Sequence, residues 1–208
     1  MSQPIEITLL RHGRSLADDE KRCEGRYDSP LTEVGVEQTK RRLAHWQEEG
    51  RSFDTVVSSP LQRAMSAASI IADGLNLPLD VEVNWQEKDN GSIAGLTFAD
   101  ADKRFPKASF VNPYEAYIKS ASDGESEVEL HCRSLLALQH ILRSGHSKVL
   151  VVSHGKMINA AVSAALGIKP TANTPSVIFA LGDLSYIDLV YYPTTDVWLV
   201  KQLNHLTT

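Results

Sequence analysis

The hydrophobic residues of this chain form short runs that stop abruptly at polar residues. Three runs predict buried strands, from Ile5 to Leu10, from Asp54 to Ser58 and from Lys148 to Ser153. Apolar and polar residues alternate between Leu77 and Asn84, which predicts a fourth strand. Arg11-His12-Gly13 follows the first run and His154-Gly155 follows the third, so each of these strands is expected to end beside a histidine.

Capping signals and apolar spacing predict four helices between and after these strands. They run from Thr32 to about Glu49, from Ser59 to about Asp73, from Ser126 to about Arg143, and from His154 to about Leu166. Thr32, Ser59 and Ser126 are the expected N-caps, because a hydroxyl oxygen accepts a free N–H group of the first turn. Pro60 fits the first helical position of the second helix, which places Arg63 in its first turn.

The alternation of strands and helices predicts an α/β fold with a mainly parallel sheet and helices on both faces. We expect a single domain over residues 1–208, with a small, mostly helical cap insertion at about 88–124. Two or three strands are predicted from Pro175 to Val200, with Gly182-Asp183 as the turn of a hairpin at the sheet edge. In such sheets ligands bind beyond the carboxyl ends of the strands, where His12, Arg63 and His154 are expected to converge.

Composition narrows the classes of function. The chain has 208 residues, of which 42% are apolar and 23% charged, with a formal net charge of −5, which argues against a nucleic-acid-binding surface. Neither a signal peptide nor a membrane span is expected, so the predicted location is cytoplasmic, with no membrane partner. Cys23 and Cys132 are expected to be free thiols, and the His, Cys and carboxylate spacings predict no metal site.

The strand-end residues suit phosphoryl transfer. The imidazole of His12 can attack phosphorus in line, while the guanidinium groups of Arg11 and Arg63 hold the equatorial oxygens. His154 is expected to carry a proton and add positive charge, and the helix N-termini after Ser59 and His154 are expected to favour a bound phosphate. Attack requires an unprotonated ring nitrogen, so the other nitrogen of His12 should donate to a fixed acceptor such as a backbone carbonyl.

A set of motifs in a fixed order carries a resemblance to a known family. The set comprises Leu10-Arg11-His12-Gly13 with Ser15, Arg22 with Gly25, Asp28-Ser29-Pro30-Leu31-Thr32-Glu33 with Gly35, Ser58 to Ala64, Glu87 with Gly91, Gly95-Leu96-Thr97, Gly124-Glu125-Ser126, Ser153-His154-Gly155, and Asn204-His205-Leu206. It resembles the histidine phosphatase superfamily, the phosphoglycerate mutase-like enzymes, and spans nearly the whole chain. The phosphatase branch is the nearer match, because the chain is compact and lacks a long extra insertion.

The resemblance implies roles for individual residues. His12 would be the phosphorylated nucleophile, Arg11, Arg63 and His154 would form the phosphate pocket, and Glu87, which also follows the fourth predicted strand, would be the proton donor and later the base for water. The wider substrate-binding set would be Arg11, Ser15, Asp18, Arg22, Gly25, Arg63, His154 and Gly155. The family needs no metal and no other cofactor.

The chain departs from the family's pattern at three places. Asp18 stands where the family usually has a phosphate-contacting asparagine, and an ionised carboxylate there would repel the substrate. Asp18 could point away, be neutralised by Lys21 or Arg22, or bind a cationic or hydroxyl group of the substrate. Arg14 replaces a common glutamate, which could offset Asp18, and Ile93-Ala94 replace a frequent Trp-Glu pair in the cap.

Three functional hypotheses follow from the sequence. The first is a histidine acid phosphatase-type phosphoric monoester hydrolase that acts on a small phosphorylated metabolite, as a monomer or homodimer. The second is a cofactor-dependent phosphoglycerate mutase, which would need more positive charge in the cap than the few basic residues there, Lys88, Lys103, Arg104, Lys107 and Lys119, supply. The third is a protein that binds a phospholigand without catalysis, which Asp18 and the altered cap would favour.

Overall fold

A computed structural model describes residues 3–106, 112, 114–172 and 177–204. The sequence predictions that involve Lys107, Pro175 and the His205-Leu206 pair lie outside the described residues, as do parts of the cap.

The strands form one six-stranded sheet in the order β3-β2-β4-β1-β5-β6. Their bounds are Ile5–Arg11 (β1), Thr55–Ser58 (β2), Leu79–Val81 (β3), Lys148–Ser153 (β4), Tyr186–Tyr192 (β5) and Val197–Asn204 (β6). The first four strands in this order are parallel, and β5 and β6 add antiparallel pairs beyond β1. The mainly parallel sheet predicted from the sequence is confirmed.

Six α-helices connect these strands within the described residues: Leu16–Asp19 (α1), Glu33–Glu48 (α2), Gln62–Leu75 (α3), Phe98–Arg104 (α4), Glu127–Arg143 (α5) and Gly155–Ala165 (α6). Short 3-10 turns lie at Val83–Trp85 and Gly91–Ile93. Two predicted N-caps are confirmed. Thr32 accepts from the Gly35 N–H at 3.1 Å, and Ser126 forms a reciprocal capping box with Glu129.

Helices cover both faces of the sheet because the parallel strands are apolar on both sides. On one face Ile7 and Val151 join a buried cluster with Met157 and Ile158 of α6 and with α5. The opposite face packs Leu150 and other strand residues against α3 and α2. The second prediction for the fold, helices on both faces, is therefore also confirmed.

Ser59 is not the N-cap of the second predicted helix, and this prediction was wrong. Helix α3 begins at Gln62, with Leu61 as its N-cap and no capping side chain from that residue. Pro60 precedes the helix in a turn, and the Ser59 hydroxyl bonds to the His154 ring, with Oγ 2.8 Å from Nε2. Arg63 still lies in the first turn of α3, as predicted.

The hairpin turn was also misplaced. The two strands of the hairpin are β5 and β6, and the turn between them lies at 193–196 rather than at Gly182-Asp183. The apolar residues around Phe179 form no strand because Asn159 of α6 holds this segment: its side chain accepts from the Phe179 N–H at 2.7 Å and donates to the Phe179 carbonyl at 3.1 Å.

Two further elements are shorter than expected. The fourth predicted strand survives only as β3, because the Glu82 carboxylate accepts from the Asn84 N–H at 2.9 Å and the chain turns into a 3-10 helix. In the described part of the cap, α4 and the Gly91–Ile93 turn are joined by bends and turns, so its helical pieces are short.

No helix among the described residues is long and apolar enough to cross a membrane. Cys23 and Cys132 are free thiols, as expected.

Candidate active site

Three neighbouring strand ends meet at the carboxyl edge of the parallel sheet. In the register, Arg11 at the end of β1 pairs with Ser153 of β4, and Ser58 of β2 pairs with Val152 of β4. The residues that follow, His12 and His154, are therefore neighbours, with ring centroids 5.1 Å apart. The convergence expected from the strand pattern is present.

The ring of His12 is held in one orientation. Its Nδ1 lies 2.7 Å from the Gly13 carbonyl oxygen, which can only accept, so Nδ1 carries the hydrogen. That leaves Nε2 without a hydrogen in the neutral ring, and Arg63 Nε donates to it at 3.1 Å. The side chain is buried, so the free lone pair of Nε2 faces a cation rather than bulk water.

Both site histidines are shifted toward the neutral form. Burial and then the Arg63 charge lower the pKa of His12 well below its ordinary value, with a smaller contribution from Arg11. The same two leading causes lower the pKa of His154. The expected positive charge on His154 is therefore not favoured in the protein without a bound anion. Its Nδ1 is buried and has no hydrogen-bond partner among the described residues.

Arg63 is fully buried and is fixed by backbone oxygens. Its terminal nitrogens donate to the Gly25 carbonyl at 2.8 Å and to the Tyr27 carbonyl at 3.0 Å. Gly25 has a φ of +53°, and a Cβ there would come within 2.8 Å of the Asn90 side chain. Only glycine fits this position at low cost. The role of Gly25 in the structure is thus to present its carbonyl to Arg63.

Arg11 approaches the same region from β1. Its Nη1 donates to the Leu181 carbonyl at 2.6 Å, and Nη2 lies 3.7 Å from the Asp183 carboxylate. The Cβ position of Gly155 lies 4.0 Å from the Arg11 side chain, so these two predicted site residues are in contact.

The two helix N-termini expected to attract phosphate already hold carboxylates of the chain itself. The N–H of Gln62 at the start of α3 donates to Asp28 at 2.7 Å. At the start of α6, the N–H groups of Lys156 and Met157 donate to the Glu87 carboxylate at 3.2 and 3.1 Å. The expectation that these N–H groups bind phosphate is corrected, since a helix N-terminus that is already capped has fewer free donors.

A buried ion pair fixes the segment that carries Glu87. Arg133 of α5 contacts both oxygens of Glu125, at 2.8 and 2.6 Å. The same guanidinium donates to the carbonyls of Asn84 and Gln86 at 2.7 Å each, and to that of Glu87 at 3.2 Å. Glu125 is thus a structural partner of Arg133, which sequence reasoning did not single out.

Asp18 is held within its own helix. Its carboxylate accepts from the N–H of Ser15 at 2.9 Å and from the Ser15 hydroxyl at 3.0 Å, which completes the capping box of α1. Arg14 pairs with Asp19 instead, at 2.5 Å. Among the three alternatives for Asp18, these contacts favour a side chain used by the protein's own backbone.

Arg22 ties its loop to the cap. Its guanidinium contacts Glu20 at 2.6 Å and donates to the Gly95 carbonyl at 2.8 Å. Its predicted contact with substrate stays a prediction.

Glu24 is the site residue that the sequence did not reveal. Its side chain is 16% exposed and lies 3.4 Å from Arg63 Nε and 3.9 Å from His12 Nε2. The Ser15 hydroxyl contacts the same carboxylate at 2.5 Å. Nothing in the spacing of Glu24 marks it, because the loop that delivers it depends on the positive φ of Gly25 and on Arg63.

Within the described ranges, no group of three or more His, Cys, Asp or Glu side chains is arranged to hold a metal ion.

Comparisons with known proteins agree with this geometry. Residues 7–203 match the family model of the histidine phosphatase superfamily, branch 1. A Bacillus subtilis protein called uncharacterized phosphatase PhoE is 28% identical over 199 residues, covering 95% of this chain and 93% of that protein. A probable phosphoglycerate mutase, GpmB, of Yersinia pestis is 34% identical over 170 residues, covering 79% of this chain and 76% of its own.

Solved structures are similar over almost the full length. A mycobacterial glucosyl-3-phosphoglycerate phosphatase in complex with VO3 has a TM-score of 0.81 at 25% identity, covering 97% of this chain and 100% of the other. Bacillus stearothermophilus YhfR has a TM-score of 0.83 at 24% identity, with 98% of each chain covered, and supports the fold alone.

Proposed function

The chain belongs to the histidine phosphatase superfamily, and from that premise we propose that it hydrolyses a small phosphomonoester through a phosphohistidine on His12. The observation that carries the proposal is the state of His12: Nδ1 is bound to the Gly13 carbonyl, and Nε2 is free of hydrogen and accepts from Arg63. A neutral imidazole with one fixed lone pair is what a covalent nucleophile requires.

The proposed reaction has two displacements. In the first, Nε2 of His12 forms a bond to phosphorus while the bond from phosphorus to the ester oxygen breaks, and that oxygen takes a proton from Glu87. In the second, water attacks the phosphohistidine, Glu87 takes a proton from the water, and the N–P bond breaks to release phosphate. Arg63 and Arg11 would stabilise the equatorial oxygens in both steps, because fixed cations act on charge that is already spread over them.

His154 changes charge in this scheme when the anion binds. Its pKa is lowered by burial and by Arg63, and a bound phosphoryl dianion would oppose both effects. The buried Nδ1 or the Nε2 beside Ser59 would then carry the added proton. The pocket would gain positive charge only with its ligand present.

Hydrolysis is favoured over the mutase reaction by the pairing of cap cations. A mutase must hold a second phosphate, and it needs unpaired positive charge for this. Lys88 is buried against Glu127, and Lys119 lies 3.0 Å from Glu129. The relation to a probable mutase keeps that activity as the second candidate.

A direct comparison of the two activities tests the proposal. We expect release of inorganic phosphate from p-nitrophenyl phosphate and from at least one member of a panel of sugar phosphates, phosphoserine, nucleotides and phosphoglycerates. Conversion of 3- to 2-phosphoglycerate should be slower than hydrolysis. Mutase turnover far above hydrolysis would favour the second candidate, and tight binding without any phosphate release would favour a non-catalytic protein.

Glu87→Gln should slow hydrolysis in a way that depends on the leaving group. For an alkyl phosphate, whose leaving oxygen needs a proton, kcat/KM should fall about 10²-fold, as is typical for loss of a general acid. For p-nitrophenyl phosphate, whose phenolate leaves without help, the fall should be about tenfold or less. Steady-state assays on both substrates give the two ratios.

The matched control for this substitution is Glu48→Gln, an exposed change of the same charge at the end of α2. It should leave both substrates unaffected. Equal losses on the two substrates in Glu87→Gln would mean that Glu87 acts only by capping α6, and another group would then have to protonate the leaving oxygen.

A further inference from the structure

A carboxylate occupies the part of the site where the proposed mechanism needs positive charge. Glu24 lies 3.4 Å from Arg63 Nε and 3.9 Å from His12 Nε2, the atom that would attack phosphorus. An anion bound between these two groups would therefore meet the Glu24 side chain within a few ångströms. Two unit charges of the same sign at about 4 Å repel by several kcal/mol in a protein environment near the surface.

The hydrogen bonds around Glu24 are one proton short when both nearby carboxylates are ionised. The Ser15 hydroxyl lies 2.5 Å from Glu24 and 3.0 Å from Asp18, yet it has a single hydrogen to donate. Ser29 contributes a second, longer contact to Glu24 at 3.3 Å. A proton on Glu24 would satisfy both carboxylates at once.

The charges that face Glu24 come from every element around it. Arg63 of α3 favours the ionised carboxylate, as does the Ser15 hydroxyl, whereas Asp18 of α1 and Glu87 before the cap disfavour it. His12 at the end of β1 is neutral and contributes no charge. Burial outweighs these effects and raises the pKa of Glu24 above its ordinary value.

We propose that Glu24 couples the binding of a tetrahedral anion at His12 and Arg63 to the uptake of one proton. The proton adds to the Glu24 carboxylate, which turns an acceptor that repels the anion into a donor that can bind an anion oxygen. Arg63 is released at the same time from its ion pair with Glu24. The inference rests on the proposed function for the identity of the anion as the phosphoryl group, but not for the coupling itself.

The coupling has a defined sign. Below the pKa of Glu24 the carboxyl group is neutral and the anion binds without a change in protonation there. Above that pKa each anion must bring or recruit one proton, so affinity falls as the pH rises, by up to about tenfold per pH unit. A phosphomonoester monoanion can supply this proton itself.

Sulfate is the probe of choice because it keeps two charges throughout the accessible pH range. Its Kd should be measured by isothermal titration calorimetry from about pH 5 to about pH 8.5 for the wild type and Glu24→Gln. Protonation of His12 and His154 at the acid end affects both proteins, so the ratio of wild-type Kd to variant Kd isolates Glu24. We expect a ratio near one at the acid end that rises to at least about tenfold at the alkaline end.

Two further variants keep the test independent of folding defects. Glu37→Gln makes the same charge change on an exposed position of α2 and should leave the wild-type pH profile in place. Ser15→Ala removes a hydroxyl that lowers the pKa of Glu24, so the fall in sulfate affinity should begin at higher pH than in the wild type. Thermal unfolding of each variant establishes that it is folded.

A Kd ratio that does not change with pH, or weaker sulfate binding by Glu24→Gln at every pH, overturns the coupling. These outcomes are separate from failure of the proposed function. A protein that hydrolyses no phosphoester can still show the pH-dependent ratio, and an active phosphatase can lack it.

Discussion

Replacing His12 by alanine should abolish turnover, with kcat for any phosphomonoester falling by at least about 10⁴-fold. The expected loss is this large because no other described side chain presents a neutral, oriented ring nitrogen to Arg63 Nε. His154 is 5.1 Å away between ring centroids, but its Nε2 is already bound to Ser59. Phosphate release in a sensitive continuous assay measures the effect.

The control for His12→Ala is His45→Ala, since His45 is about half exposed near the end of α2. It should keep full activity. His12 is buried, so thermal unfolding must show that the His12 variant is folded before its rate is compared. Activity of folded His12→Ala within about tenfold of the wild type would place the nucleophile elsewhere.

Replacing Arg63 should give the second-largest loss. Arg63→Met keeps much of the volume but removes the cation and the fork, and kcat/KM should fall about 10³-fold, the lower range for an arginine that stabilises phosphoryl transfer. Arg63→Lys restores the charge without the donors to Gly25 and Tyr27 and should recover only part of the loss.

Arg63→Met should also move the acid limb of the pH profile. Arg63 is the second-largest cause of the lowered pKa of His12, after burial. Without it the pKa of His12 rises, and because only neutral His12 can attack, activity should be lost at higher pH than in the wild type. Arg41→Met, an exposed change on α2, is the matched control and should alter neither quantity. An unchanged acid limb would contradict the electrostatic role of Arg63.

The residues at the strand ends were predictable because a buried parallel strand is a strong sequence signal. An apolar run followed at once by Arg11-His12 or by His154 places those residues at the carboxyl edge, whatever the details of the loops. Arg63 was predictable for the related reason that it follows β2 after a short connection. The site histidines and their arginine therefore needed only the order of strands.

Tertiary partners far apart in sequence account for the predictions that failed. The N-terminus of α3 is capped by Asp28, 34 residues earlier, and that of α6 by Glu87, so both are unavailable as local phosphate sites. Asn159 holds the segment around Phe179 away from the sheet and thereby displaces the predicted hairpin turn. Local propensity contains no information about such contacts.

Glu24 shows the same limit within the site itself. Its position depends on the left-handed backbone of Gly25 and on the buried fork of Arg63, which together fold the loop over His12. From sequence alone, Glu24 is one more acidic residue in a polar loop.

The central claim, that His12 becomes phosphorylated, is tested most directly by locating the phosphoryl group. Wild-type protein should be mixed with a hydrolysed phosphomonoester, quenched in alkali within milliseconds to preserve phosphohistidine, and digested for mass spectrometry. We expect one phosphoryl group per chain, on the peptide that contains His12 and absent after treatment with acid. Label on the His154 peptide, or turnover with no labelled histidine at any time point, would contradict the account.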